Sequence, residues 1–285
     1  MTATTTFISS RDGTRLALYR WSPRQASEPA ATVVLVHGGA EHLGRYEHVA
    51  TALTEAGFAV VGTDLRGHGR SEGRRGYLRT IESYLEDVDA AVAAAEPGPR
   101  FLLGHSMGGL VAIRWVLDAG RRCDGLVLSS PFFGFTANIP RTKLVAARIL
   151  ARVVPRLSLP AGLSGADVSR DPETQRAYET DALINRTANV RWLVAIEAAQ
   201  AEVKARAGEI RVPLLCLYAG ADRLVDATRT ADVIAKVGSP DKTLECLDGY
   251  AHELFNEPMA DRERVLARVV QWLAGHDGAS NTVRG

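Results

Sequence analysis

At 285 residues the chain can bury a full core, as one large α/β domain or as two smaller ones. Its 34 Lys and Arg against 33 Asp and Glu leave a formal net charge of +1, too weak a field to draw a nucleic-acid partner. The N-terminal MTATTTFISSRDG lacks the basic start and apolar core of a secretory leader, and no run approaches the roughly 18 apolar residues of a membrane span. Cys123, Cys216 and Cys246 are odd in number and widely spaced, and the last two sit in apolar runs. That pattern predicts reduced, buried thiols and a cytoplasmic protein.

TFISSRDGTRLALYRW (6–21) places an Asp12-Gly13 turn between short alternating runs and predicts an antiparallel hairpin at a sheet edge. Apolar runs at 31–38, 58–64, 101–106, 125–131, 213–220 and 242–249 then read as strands. Between them, 43–56, 80–95, 107–120, 226–236 and 259–274 carry the composition and apolar spacing of crossover helices, so the fold class is α/β with a mostly parallel sheet. One connection is too long. After Pro131 no strand follows until about Val212, which leaves about 55 residues beyond what a crossover needs. Segment 132–187 leaves the sheet at a strand's carboxyl end, where α/β proteins bind ligands, and is expected to form a helical cap on a core of 1–131 and 188–285.

Within 101–116, FLLGHSMGGLVAIRWV, the pattern G-x-S-x-G falls between a predicted strand and a predicted helix. A nucleophile elbow needs that context, with small neighbours around a strained serine, and Ser106 is the candidate nucleophile. A serine hydroxyl needs a base, and the base needs an acid to hold its tautomer. Of the seven histidines, those after Ser106 are His252 and His276. His276 lies in the polar tail, so His252, in DGYAHELFNEP, is the candidate base. PLLCLYAGADRLVD offers two acids: Asp222 is closer to the strand end and is favoured, while Asp226 stands where a helix N-cap belongs. Donors to an oxyanion are expected from the N–H of Met107 and of Gly39, in the HGGAEH turn.

HGGAEHLG does not match G-x-G-x-x-G, and HELFN has Asn256 where a zinc protease carries its second histidine. The sequence therefore calls for no dinucleotide, metal or other cofactor. In the expected cap, Arg141, Arg148, Arg152 and Arg156 share one helical face, with Ile149, Leu150, Val153 and Leu157 near the other. Such a segment either packs its apolar side on the core or lies on anionic lipid, a peripheral membrane contact.

Taken together, HGGAEHLGRYEHVA, DLRGHGRSEG, GHSMGG, SRDPETQRAYETD, AGADRLVD and HELFNEP resemble, in that order, the monoacylglycerol lipase and lysophospholipase-like branch of the α/β-hydrolases. The resemblance runs from about residue 10 to 274 and implies an α/β-hydrolase fold with an inserted cap. It implies hydrolysis of monoacylglycerols by Ser106, His252 and Asp222 through an acyl-enzyme, with oxyanion donors at Gly39 and Met107. It also implies head-group contacts at Glu41, Arg45, His105 and Tyr178, which loop and cap scaffolding would equally explain. Lysophospholipids, simple carboxylic esters and thioesters are alternative substrates, and a lipid carrier with the same pocket is the non-enzymatic alternative. Two positions depart from the pattern: Phe255 replaces a histidine of the mammalian members, and Ala40 a common glycine.

Overall fold

The computed structural model describes residues 3–23, 29–136 and 140–277. The hairpin of β1 (Thr4–Ser9) and β2 (Arg15–Trp21) turns at Asp12-Gly13, where Gly13 takes φ +87° and Asp12 Oδ1 accepts the Thr14 N–H. Strands β3 (Thr32–Val36), β4 (Ala59–Thr63), β5 (Arg100–His105) and β6 (Gly125–Ser129) follow. β7 (Ser158–Pro160) and β8 (Thr187–Asn189) form a separate antiparallel pair, and β9 (Leu214–Ala219) and β10 (Lys242–Leu247) return to the main sheet. That sheet has eight strands in the order β1-β2-β4-β3-β5-β6-β9-β10, parallel from β4 onward.

The central strands are buried end to end because helices cover both faces, which is why they read as continuous apolar runs. On one side α1 (Glu47–Glu55) and α9 (Met259–Ala274) pack with Val33, Leu103, Val127 and Leu217. On the other, α2 (Glu82–Ala93) and α3 (Met107–Val116) pack with Val34, Leu102 and Leu128.

Between β6 and β9 the described chain forms α4 (Arg141–Val153), α5 (Gly165–Val168), α6 (Pro172–Thr180) and α7 (Val190–Arg206), and α8 (Ala227–Lys236) follows β9. α6 starts where Asp171 accepts the Thr174 N–H and Pro172 presets the first turn. The expected boundary between 187 and 188 falls inside β8, and α7 packs against both α3 and α4. α4 docks on α7 through buried Ala147 and Ala151, while Ile149 is 56% and Val153 73% exposed. The apolar side expected to find the core thus faces outward, because the small alanines make the contact; the Arg141 side chain lies outside the described residues.

Cys216 is buried, but Cys246 is exposed, a correction to the sequence reading. It lies on β10, an edge strand whose side chains alternate toward solvent. His276 bonds the Trp272 carbonyl at the end of α9, far from any role with Ser106. Among the described residues no helix is long and apolar enough to cross a membrane.

Candidate active site

β5 ends in Leu103-Gly104-His105 and α3 begins at Met107, so the chain must reverse within Ser106, which adopts φ 51°, ψ −117°. That left-handed φ in a residue with a Cβ is strained, and close packing holds it. A methyl on Gly108 would lie 2.0 Å from the Val36 carbonyl oxygen, and one on Gly104 would lie 2.4 Å from that of Gly108. The glycines let helix and sheet touch, and contact sustains the turn.

His252 Nε2 lies 2.8 Å from Ser106 Oγ, and His252 Nδ1 lies 2.6 Å from Asp222 Oδ2. The carboxylate accepts the Nδ1 hydrogen, which leaves the Nε2 lone pair facing the serine hydroxyl. Asp222 is itself held: its Oδ1 accepts the N–H groups of Leu224 and Val225, both at 2.8 Å. Burial disfavours the charged form of either group, yet their mutual attraction prevails, so Asp222 titrates lower and His252 higher than usual. Asp226 does something else. Its Oδ1 accepts the Thr228 N–H at 2.9 Å and caps α8.

The turn after β3 is fixed from three directions. His37 Nδ1 donates to the Gly38 carbonyl at 2.7 Å, Gly38 N–H donates to Glu41 Oε1 at 2.6 Å, and Asn185 N–H donates to the Ala40 carbonyl at 2.8 Å. With the Gly38 N–H committed, that of Gly39 is the neighbouring donor. A methyl built on Gly39 would sit 3.7 Å from Met107 Cβ, so the two residues expected to donate are neighbours. As the first residue of α3, Met107 has no intrahelical acceptor for its N–H.

Ser106 opens onto a cavity of about 340 Å³ whose lining includes Phe132, Phe135, Leu163, Val168, Trp192 and Leu224. The insertion supplies much of this apolar wall. The residues tied to head-group recognition by resemblance divide. Tyr178 and Glu41 border the cavity, as does His105, whose ring packs 4.9 Å from that of His252. Arg45 is absent from that lining; it bonds Glu41 and Glu253. Burial and the adjacent His252 hold the His105 pKa down to about 3, and its Nδ1 lies 3.1 Å from the Ser129 carbonyl oxygen. Phe255 is buried, and its carbonyl accepts from His48 Nε2.

Sequence reasoning overlooked Glu253, Asn185 and Trp192. Glu253 follows His252 directly, which was the available signal. Trp192 Nε1 donates to Met107 Sδ at 3.4 Å, a contact that no local pattern announces.

A family described as "Serine aminopeptidase, S33" (Hydrolase_4) matches residues 27–259, most of the chain. The chain belongs to this α/β-hydrolase family. Phospholipase YtpA of Bacillus subtilis (strain 168) is 37% identical over 85% of this hydrolase and 94% of its own length. The monoacylglycerol lipase of Mycolicibacterium smegmatis is 33% identical, covering 93% and 94% of the two chains. Among solved structures, the monoacylglycerol lipase of Paleococcus ferrophilus superposes with a TM-score of 0.83 at 30% identity, over 92% of this hydrolase and 99% of that chain. This chain is therefore a monoacylglycerol lipase-like enzyme.

Proposed function

We propose that this hydrolase cleaves monoacylglycerols to glycerol and fatty acid through an acyl-enzyme. The observation that carries the reading is the unbroken chain Asp222, His252, Ser106 at the floor of an apolar cavity. Ser106 Oγ attacks the ester carbonyl while His252 Nε2 takes its proton, and Asp222 holds the imidazolium that forms. The Gly39 and Met107 N–H groups receive the oxyanion. His252 returns the proton to the departing glycerol oxygen, and water, activated by the same imidazole, releases the acid. Each methylene buried against the insertion contributes about 0.8 kcal/mol, which favours long acyl chains over acetate.

His252 must be neutral to act as base, and its pKa is raised against the cost of burial by the Asp222 carboxylate. The rate should therefore fall as pH drops through a value above the ordinary imidazole value of about 6.5. Ser106→Ala should abolish ester hydrolysis and fluorophosphonate labelling; retained turnover would end the assignment.

The likeness to a phospholipase supports a second substrate reading, lysophospholipids. An acyl-length series of monoacylglycerols, run beside lysophospholipids, thioesters and simple esters, separates these readings, and absence of turnover on all of them leaves a lipid carrier. The outward face of α4, with Val145, Ile149 and Val153 exposed and Arg148 and Arg152 beside them, supports peripheral contact with a lipid surface.

A further inference from the structure

Arg45 stands where two loops of the site meet. Its Nη1 donates to Glu41 Oε2 and to Glu253 Oε1, each at 2.8 Å, and its Nη2 donates to Glu253 Oε2 at 2.7 Å. Glu41 belongs to the turn that carries Gly38 and Gly39, and Glu253 immediately follows His252. The three side chains are buried, 11% exposed for Arg45, 2% for Glu41 and 5% for Glu253.

Their bonding capacity is directed inward. Glu41 Oε1 already accepts from Gly38 N–H at 2.6 Å and from the Tyr46 hydroxyl at 2.7 Å. Glu253 Oε2 also accepts from Asn256 Nδ2 at 2.8 Å, and the Arg45 guanidinium lies 5.4 Å from the centre of the Tyr178 ring. These bonds engage three of the five guanidinium N–H groups, but Arg45 does not line the cavity, and swinging it in to reach a glycerol hydroxyl would draw it off a buried carboxylate and leave an uncompensated charge away from water. Held as it is, one planar guanidinium fixes the separation of two loops whose residues are 208 apart in sequence.

We infer that Arg45 is a positioning residue: with Glu41 and Glu253 it clamps the Gly38–Gly39 turn to the loop of His252, and it does not read the head group. The inference rests on the roles proposed above for Ser106, His252 and Gly39. A catalytic constellation tolerates errors of about 0.5 Å, and a displacement of about 1 Å costs about 100-fold in rate. Loss of the clamp therefore acts on kcat and is indifferent to the alcohol that leaves.

The test compares monoacylglycerol with p-nitrophenyl butyrate, an ester without a glycerol, in Arg45→Met, Arg45→Lys and Glu253→Gln. Rates are counted per fluorophosphonate-titrated serine, so that lost folded protein is not taken for lost rate. The clamp predicts that Arg45→Met lowers kcat about 100-fold on both esters with KM nearly constant. Arg45→Lys should recover part of that loss, because an ammonium keeps the charge without the fork, and Glu253→Gln should fall on both esters alike. Normal kcat on p-nitrophenyl butyrate with a raised KM for monoacylglycerol would overturn the clamp and restore the head-group role. So would full activity per titrated site in all three variants. Should Arg45→Met fail to fold, the lysine and glutamine variants decide by the same criterion. The proposed function stands or falls separately, on whether Ser106→Ala is dead.

Discussion

Beneath Ser106, polar groups meet at set distances: Asp222 on His252 at 2.6 Å, Arg45 on Glu253 at 2.7 Å and on Glu41 at 2.8 Å. Above it, the insertion presents Leu163 and Val168 to the cavity, α7 adds Trp192, and Ile149 and Val153 turn to solvent. The floor is directional and the roof is not. Hydrogen bonds lose most of their strength when misaligned, whereas apolar contact varies smoothly with area. A hydrolase can thus hold one reaction geometry fixed while accepting acyl chains of different shape, and variants of the two regions should differ in kind.

The largest effect is expected on the floor. Asp222→Asn keeps the shape of the side chain but presents the wrong partner to His252 Nδ1, and kcat should drop by about 10⁴-fold. Asp226→Asn, four residues on, disturbs just the α8 cap and should leave kcat unchanged while costing under about 1 kcal/mol of stability. Equal losses in both variants would erase the distinction drawn between these acids.

The floor should also be the acid-sensitive half. Burial holds His37, His68 and His105 down to about 3, so they stay neutral in the folded protein. In the unfolded chain each takes a proton near pH 6.5, so stability is present above that value and is lost as pH falls from about 6.5 toward 3. The slope is about 1.4 kcal/mol per pH unit for each histidine, or about 4 for the three together. Denaturant titrations at pH 7 and pH 5.5 measure it. A flat profile would mean that these rings take up protons without unfolding.

How much of this was legible depends on how far each partner lies along the chain. The elbow at Ser106 is a local demand, written in Gly104 and Gly108, and strand burial on both faces leaves continuous apolar runs. Chain order and the polar tail around His276 pointed to His252, nearness to the strand end favoured Asp222 over Asp226, and α9 spans the residues that its apolar spacing marks. Glu253 as the partner of Arg45 could not be read, because packing alone brings the two loops together. The strands β7 and β8 have three residues each, too few for any periodicity. On α4 the spacing identified an amphipathic helix but not which side would be covered, since Ala147 and Ala151 carry the contact while the larger residues stay outside.

Trp192 joins the two regions, reaching from α7 to Met107 Sδ and stacking 6.4 Å from the Phe132 ring. Trp192→Leu removes apolar wall over the elbow and the bond to Met107 Sδ while leaving Asp222, His252, Arg45, Glu41 and Glu253 in place. The expected result is about a 10-fold loss of kcat/KM on long-chain monoacylglycerols, with a smaller loss on p-nitrophenyl acetate, whose acyl group hardly enters the cavity. A uniform loss on both would place Trp192 with the floor.

The smallest effect on the folded protein, and the sharpest test of the roof, comes from α4. Ile149 is 56% and Val153 73% exposed, so replacing both by serine removes little buried surface and should change stability by less than about 0.5 kcal/mol. Hydrolysis of a soluble short-chain ester should be unchanged as well. A cluster of exposed apolar side chains marks an interaction surface, and flanking arginines suit an anionic interface. The double variant should therefore lose sedimentation with anionic vesicles and turn over vesicle-borne monoacylglycerol more slowly. Arg148→Glu with Arg152→Glu should do the same in a salt-dependent way, since Arg148 pairs at the surface with Glu197 at 2.9 Å and Arg152 is exposed. Undiminished vesicle binding in both double variants would detach α4 from the lipid surface and leave its outward apolar face without a role.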